Sequence, residues 1–296
     1  MKPIKSSGAL QGVLALFLLI SSTTFFFIPI LALGLLKLIP SLKLKIACTR
    51  IIDKLAVFWC DINNAYIRFI HPAKWEVTGL ENLNPNTSYI LMANHQSWLD
   101  IVVLQRLFNR KIPMLKFFAK AQLKWIPLLG FCWWAMGYPF MNRYSSAYLA
   151  KNPHKKGNDL KATQKAISLF KHMPATIMSF VEGTRFTSEK KRLQQSPYNH
   201  LLKPKAGGIS YVVSAMGDQV SSLLDVTLVY PDGNHSLWDF LCQRIHKVTA
   251  HVRQIPIPKV FQTPSLLSDA ATQNAFREWL NAQWQEKDEW IASNTQ

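Results

Sequence analysis

Hydrophobic positions change their spacing three times along the chain. No ionisable residue separates Lys5 from Lys37, and residues 10–36 form a nearly unbroken apolar run. A helix needs about 20 apolar residues to cross a bilayer core. The run therefore predicts an N-terminal membrane helix, either one tilted span or a helical hairpin breaking near Ser21-Ser22-Thr23-Thr24 or at Pro29. It is too long for a cleaved signal, whose apolar core is normally about 7–15 residues. Lys37, Lys43, Lys45 and Arg50 follow closely, which predicts that the remainder stays on the cytoplasmic side. Over residues 44–70 the period becomes helical, with Ile46, Ile51, Leu55, Phe58, Ile62 and Tyr66 on one face. That face is expected to pack on the core.

From Trp75 onward, short apolar runs alternate with longer periodic ones. Strands are predicted at residues 75–78, 89–93, 113–119, 176–181, 226–230 and 247–252. Helices are predicted at 98–108, 159–171, 206–215 and 270–293. Runs apolar at every position, such as Tyr89-Ile90-Leu91-Met92-Ala93, suit a sheet covered on both faces. The expected class is α/β, a layered sheet flanked by helices and preceded by the membrane element. The expected division is an anchor at 1–43, a connecting amphipathic helix at 44–72 and a catalytic domain at 73–296.

The chain has 296 residues and a formal charge of +17, a surplus that calls for an anionic partner. Nucleic acid, an anionic membrane surface and phosphorylated small molecules all qualify on charge. No helix-turn-helix, aromatic RNA platform or zinc-finger spacing supports nucleic acid. Cys48, Cys60, Cys132 and Cys242 form no paired motif, so neither a metal site nor a disulfide framework is expected.

Ligands in α/β sheets sit beyond the carboxyl ends of strands. Two polar blocks fall at such ends: Asn94-His95-Gln96-Ser97-Trp98-Leu99-Asp100, and Glu182-Gly183-Thr184-Arg185. Ser97 and Asp100 match a helix-capping signature, which by itself accounts for the acid without chemistry. The same geometry folds Asp100 back toward His95. A carboxylate there fixes one imidazole nitrogen and leaves the other free as a general base. No serine in a nucleophile elbow accompanies the pair; Gly207-Gly208-Ile209-Ser210-Tyr211-Val212 lacks the closing glycine. Direct attack by a bound hydroxyl is therefore expected. Arg185 after a glycine turn suits a phosphate, as does Lys205 at the start of a helix. Glu182 is expected to fix an arginine or a loop.

Asn94-His95 with Asp100 resembles the N-H-x4-D block of the glycerolipid acyltransferases. Glu182-Gly183-Thr184-Arg185 resembles their E-G-T-R block, Phe140-Met141-Asn142-Arg143 the block ending in an acceptor-binding arginine, and Val226 to Pro231 the last block. Four blocks in order point to the bacterial lysophosphatidic acid acyltransferase branch. The resemblance implies His95 as base, Asp100 as its orienter, and Arg143, Glu182, Gly183, Thr184 and Arg185 around the acceptor phosphate. It implies acyl-CoA or acyl-carrier protein as donor, lysophosphatidic acid or another lysophospholipid as acceptor, and no metal or bound cofactor. Its expected place is the inner membrane with the catalytic domain in the cytoplasm. The alternatives are a basic membrane-tethered binding protein and an inactive scaffold with this fold.

Overall fold

The computed structural model describes residues 7–141, 151–152, 164, 167–220, 222–233 and 236–294. Among them the strands are β1 (Lys74–Thr78), β2 (Tyr89–Ala93), β3 (Leu115–Phe117), β4 (Ala119–Lys120), β5 (Phe140–Met141), β6 (Thr176–Phe180), β7 (Ser222–Val229) and β8 (Lys247–Pro256). The helices are α1 (Ser7–Leu36), α2 (Leu42–Ile70), α3 (Leu99–Phe108), α4 (Leu129–Ala135), α5 (Ser188–Leu193), α6 (Ala206–Met216), α7 (Leu237–Leu241), α8 (Ser265–Ser268) and α9 (Ala270–Asn294).

One mixed sheet runs in the order β1-β8-β7-β2-β6-β3, while β4 and β5 pair separately. Every neighbouring pair is parallel except β7 with β8. Alternate residues of central β2 feed two cores. Leu91 and Ala93 meet α3 through Val103 and Leu104, with α1 and α2 beyond, whereas Ile90 and Met92 join the core of α6 and α9 through Val212 and Trp284. This two-sided burial is what the unbroken apolar run demands. It also aligns the carboxyl ends of β2, β6 and β7 on one edge.

Of the two sequence alternatives, the break near Ser21–Thr24 or at Pro29 does not occur, and the apolar run is one helix long enough to cross a membrane. α1 runs uninterrupted through Pro29. The hydroxyls of Ser22, Thr23 and Thr24 donate to the carbonyls of Leu19, Leu19 and Ile20, so they stay inside the helix instead of breaking it. The turn comes later, where Ser41 caps α2 by accepting from the Leu44 amide. Phe26 and Phe58 meet edge to face at 5.8 Å, which makes the two helices antiparallel.

α1 lies along the domain. A Cβ at Gly12 would sit 2.5 Å from Cys242 Sγ, and one at Gly34 would sit 2.9 Å from the Phe131 ring. At the far end Lys37 donates to the Ala135 carbonyl at 2.6 Å. The core face of α2 is also not the predicted one. Cys48, Ile52, Ala56, Cys60 and Ile67 are buried, while Ile51, Phe58 and Ile62 are exposed. Small side chains interspersed with Ile52 and Ile67 let α2 approach closely, and Ile51, Phe58 and Ile62 are left outside.

β7 begins four residues before its predicted start, at Ser222. Asp225, within the added residues, is buried in an ion pair with Arg253 of β8 at 2.7 Å. The predicted strand at 113–119 is split by Phe118 into β3 and β4. Most of the predicted helix at 159–171 lies outside the described residues; its described end, Leu169–His172, is a single 3-10 turn.

Candidate active site

The carboxyl end of β2 is clamped before the chemistry begins. Asn94 is buried, and its amide mimics a strand pair with β7: Nδ2 donates to the Leu228 carbonyl and Oδ1 accepts from the Leu228 amide, both at 2.8 Å. Gln96 adds a bond to the same carbonyl at 2.7 Å. His95 is held between them, with its ring stacked on Phe180 of β6 at 3.9 Å between centroids.

Asp100 sits in the first turn of α3 and is fully buried. Its Oδ2 accepts from His95 Nδ1 at 2.8 Å, from the Gln96 amide at 2.6 Å and from the Ser97 amide at 2.9 Å. Its Oδ1 accepts from the Tyr230 hydroxyl at 2.7 Å. Four donors on one carboxylate offset much of the cost of burying it, helped by its place at a helix N-terminus. Capping and histidine pairing are thus one arrangement, since the acid that closes the helix turn also holds Nδ1. The other ring nitrogen, Nε2, makes no hydrogen bond among the described residues.

The loop after β6 packs directly on this pair. The Phe186 amide donates to the His95 carbonyl at 2.7 Å. Gly183 has φ +72°, a left-handed conformation that suits glycine, and the Lys205 side chain passes over it. The Lys205 amide reaches back to the Val181 carbonyl at 2.7 Å, which joins the start of α6 to the loop. Lys190 pins the turn through Thr184 Oγ1 at 2.9 Å and the Arg185 carbonyl at 3.0 Å. Arg185 itself is exposed and has no carboxylate partner among the described residues.

Glu182 lies near the loop backbone of Leu202 and His95. It pairs with no arginine among the described residues. Its carboxyl is fully buried, and neither oxygen has a partner with hydrogen-bonding geometry. Burial pushes it up to about 8, and the Asp100 carboxylate adds to that push. Lys287 of α9 and the backbone amides of Leu202 and His95 pull the other way from beyond good bonding geometry. Glu182 is therefore a neutral acid near pH 7, facing inward. Behind it Lys287 bonds the Val226 carbonyl at 2.5 Å and pairs with Asp225 at 2.7 Å.

Of the predicted residues, the structure brings together His95, Asp100, Glu182, Gly183, Thr184, Arg185 and Lys205. Arg143 lies outside the described residues. Tyr230, Asn94, Phe180 and Lys287 were given no role from sequence. A cavity of about 540 Å³ opens between α1, α3 and α4, and its lining includes neither His95 nor Asp100. Its walls are almost wholly apolar, including Trp98 and Ile101 just after the His95 turn, Trp133 and Met136 near α4, and Ile20 and Phe26 of α1.

Comparison with known proteins places the chain in a family. The profile of the family described as Acyltransferase matches residues 74–231. The chain is 25% identical over 223 residues to mouse 1-acyl-sn-glycerol-3-phosphate acyltransferase epsilon, covering 67% of this chain and 56% of that one. It is 26% identical over 258 residues to Caenorhabditis elegans lysophosphatidylinositol acyltransferase 10, covering 81% and 61%. The chain thus spans little more than half the length of the curated relatives it matches. The crystal structure of the lysophosphatidic acid acyltransferase PlsC from Thermotoga maritima shares the fold, with TM-score 0.57, 18% identity and 96% of each chain covered. The family match takes in β1 through the end of β7, both polar blocks and the His95–Asp100 pair included, and this chain belongs to the Acyltransferase family.

Proposed function

We propose that this chain transfers a fatty acyl group from an acyl thioester, acyl-CoA or acyl-carrier protein, to the sn-2 hydroxyl of lysophosphatidic acid, giving phosphatidic acid for phospholipid synthesis. The observation that carries the reading is the His95–Asp100 pair, with Nδ1 occupied and Nε2 without a hydrogen bond among the described residues. Nε2 takes the proton of the acceptor hydroxyl as its oxygen attacks the thioester carbonyl. The tetrahedral intermediate collapses, the carbon–sulfur bond breaks, and the leaving thiolate takes the proton from the imidazolium. Asp100 keeps the ring oriented and stabilises its charged form. A base of this kind contributes about 10²–10⁴ in rate. The absence of a serine elbow supports direct transfer without an acyl-enzyme.

Arg185 and Lys205 are exposed cations, one in the loop bonded to the His95 backbone and one at the helix start joined to that loop, and we assign them, with Arg143, to the acceptor phosphate. Gly183 and Thr184 shape the turn that presents Arg185, and Glu182 supports it from behind. The cavity suits an acyl chain, since its volume lies in the ~300–1,000 Å³ range of small-molecule sites and its wall is apolar. The exposed apolar residues of α1, among them Phe17, Phe25 and Ile28, form a face that we assign to one membrane leaflet. Because α1 is packed on the domain at both ends, that face beds the protein on the membrane, with the domain on the cytoplasmic side of the inner membrane.

The test is acyl transfer by the purified full chain in detergent, with either donor, beside His95→Ala. Phosphatidic acid from the parent alone, with the variant folded, supports both reaction and base; near-parental turnover by His95→Ala sinks the mechanism. A second acceptor class is favoured by one observation, the relative named for lysophosphatidylinositol. Acceptors with and without a terminal phosphate monoester distinguish the two.

A further inference from the structure

Away from His95, a second groove of about 470 Å³ opens between the C-terminal half of α2, α3 and β1, a strand at the edge of the main sheet. Its wall has two characters. Arg68, Arg106 and Lys111 are cationic, while Phe69, Trp75 and Leu80 are apolar. Arg106 is fixed in place: Nη1 donates to the Asn64 carbonyl at 3.1 Å, and the guanidinium lies 4.6 Å over the Trp75 ring. Its remaining donors have no partner among the described residues. Desolvation, and after it the charge of Arg68, hold Arg106 below the usual arginine range, so two like charges converge here without a counter-ion. The one carboxylate in the wall, Asp61, is already engaged by Arg110 at 2.5 Å and Asn109 at 2.7 Å.

The apolar side continues outward. Phe58, Ile62 and Phe69 stand at helical spacing on α2 and are exposed, Phe69 by 81%. This stripe ends at the cationic groove. A bare anion would use only the cations, and an apolar chain only the stripe. An amphiphile with an anionic head satisfies both.

We infer that this groove docks the headgroup of an anionic membrane phospholipid, with its acyl chains along the Phe58-Ile62-Phe69 stripe. The site is separate from the acceptor site, and the inference rests on the proposed membrane face only in that the lipid is met there. The bound lipid bridges α2, α3 and the edge strand β1, and so fixes the amphipathic hairpin to the catalytic sheet.

The experiment uses the full chain in micelles of an uncharged detergent. Phosphatidylglycerol or phosphatidylcholine of the same chain length is added, and retained lipid is counted by native mass spectrometry. The parent is expected to retain one phosphatidylglycerol in preference to phosphatidylcholine. Two basic groups lost together weaken that retention by roughly thirtyfold at the usual worth of a cation near an anionic lipid. Arg68→Gln with Arg106→Gln is one such variant. Arg68→Gln with Lys111→Gln, both at exposed positions, guards against a folding defect. Arg185→Gln is expected to keep the lipid. Equal retention of the two lipids by the parent, undiminished retention by both double variants, or displacement by millimolar inorganic phosphate overturns the site. Acyl transfer is read on the same samples: its absence in the parent strikes the acyltransferase reading alone, and loss of lipid with transfer kept is the expected signature of this groove.

Discussion

Glu182→Gln separates the charge of this residue from its shape. The carboxyl holds its proton up to about pH 8 in the fold, whereas its ordinary value is 4.5. At about 1.36 kcal/mol per pH unit, that gap corresponds to roughly 5 kcal/mol. Below pH 4.5 both folded and unfolded chains are protonated, so burial carries no ionisation penalty. Between pH 4.5 and about 8 the unfolded chain releases the proton and the fold does not, so stability falls as pH rises. Above about 8 the whole penalty is present. Glutamine has nearly the same shape and is neutral throughout, so the variant escapes this slope. The expected result is a variant near the parent at pH 5 and more stable than it at pH 8.5, by several kcal/mol at most, because Lys287 compensates part of the charge once Glu182 ionises. Thermal or urea unfolding in detergent, followed by tryptophan fluorescence at pH 5, 7 and 8.5, gives the comparison. Parallel pH profiles for the two proteins would refute the reasoning and place an ionised carboxylate in the fold at neutral pH.

Tyr230→Phe removes one of four donors on Asp100 while Oδ2 keeps its three. It should cost about 1.5–3 kcal/mol of stability and lower kcat much less than His95→Ala; a kcat loss equal to that of His95→Ala would mean the phenol meets the reacting groups itself. Val102→Trp projects a ring into the apolar cavity. It should depress turnover of long-chain donors while a short-chain donor keeps its kcat/KM, and a loss independent of chain length would remove the cavity from the substrate path.

Much of the fold could be read from runs that are apolar on both faces. β2 has this character, and a doubly covered sheet suits it. The His95 block was legible for a local reason, because the spacing to Asp100 is set by one helix turn. Tyr230 was not, since its bond to Asp100 closes over 130 residues of chain and nothing in a strand ending Val-Tyr-Pro marks the hydroxyl. Asp225 and Lys287 hid for a related reason. Each charge looks solvated alone, and only the sheet and α9 together show that they are buried as a pair. Large apolar side chains do not by themselves mark the core face of α2, because its close-packed side is lined by Cys48, Ala56 and Cys60 beside Ile52 and Ile67.

The packing of α1 on the catalytic sheet leads to a final prediction. Phe26 and Ile30 of α1 belong to the same buried cluster as Leu91 and Leu104 of the catalytic sheet and α3. Fully burying such a side chain is worth about 1.5–3 kcal/mol, so these two alone contribute roughly 3–6 kcal/mol. A typical domain has a net stability of only about 5–15 kcal/mol. Deleting residues 1–41 also opens the apolar cavity, whose wall includes Leu16, Leu19 and Ile20. It removes the bond from Lys37 to Ala135 as well. The remaining chain, 42–296, should therefore lose most of its cooperative unfolding and its acyl transfer, and aggregate outside detergent. Circular dichroism melts and size-exclusion chromatography of that fragment beside the full chain make the measurement. A monodisperse fragment, soluble without detergent and melting where the full chain melts, would show that α1 is a tether and that the shared core contributes little.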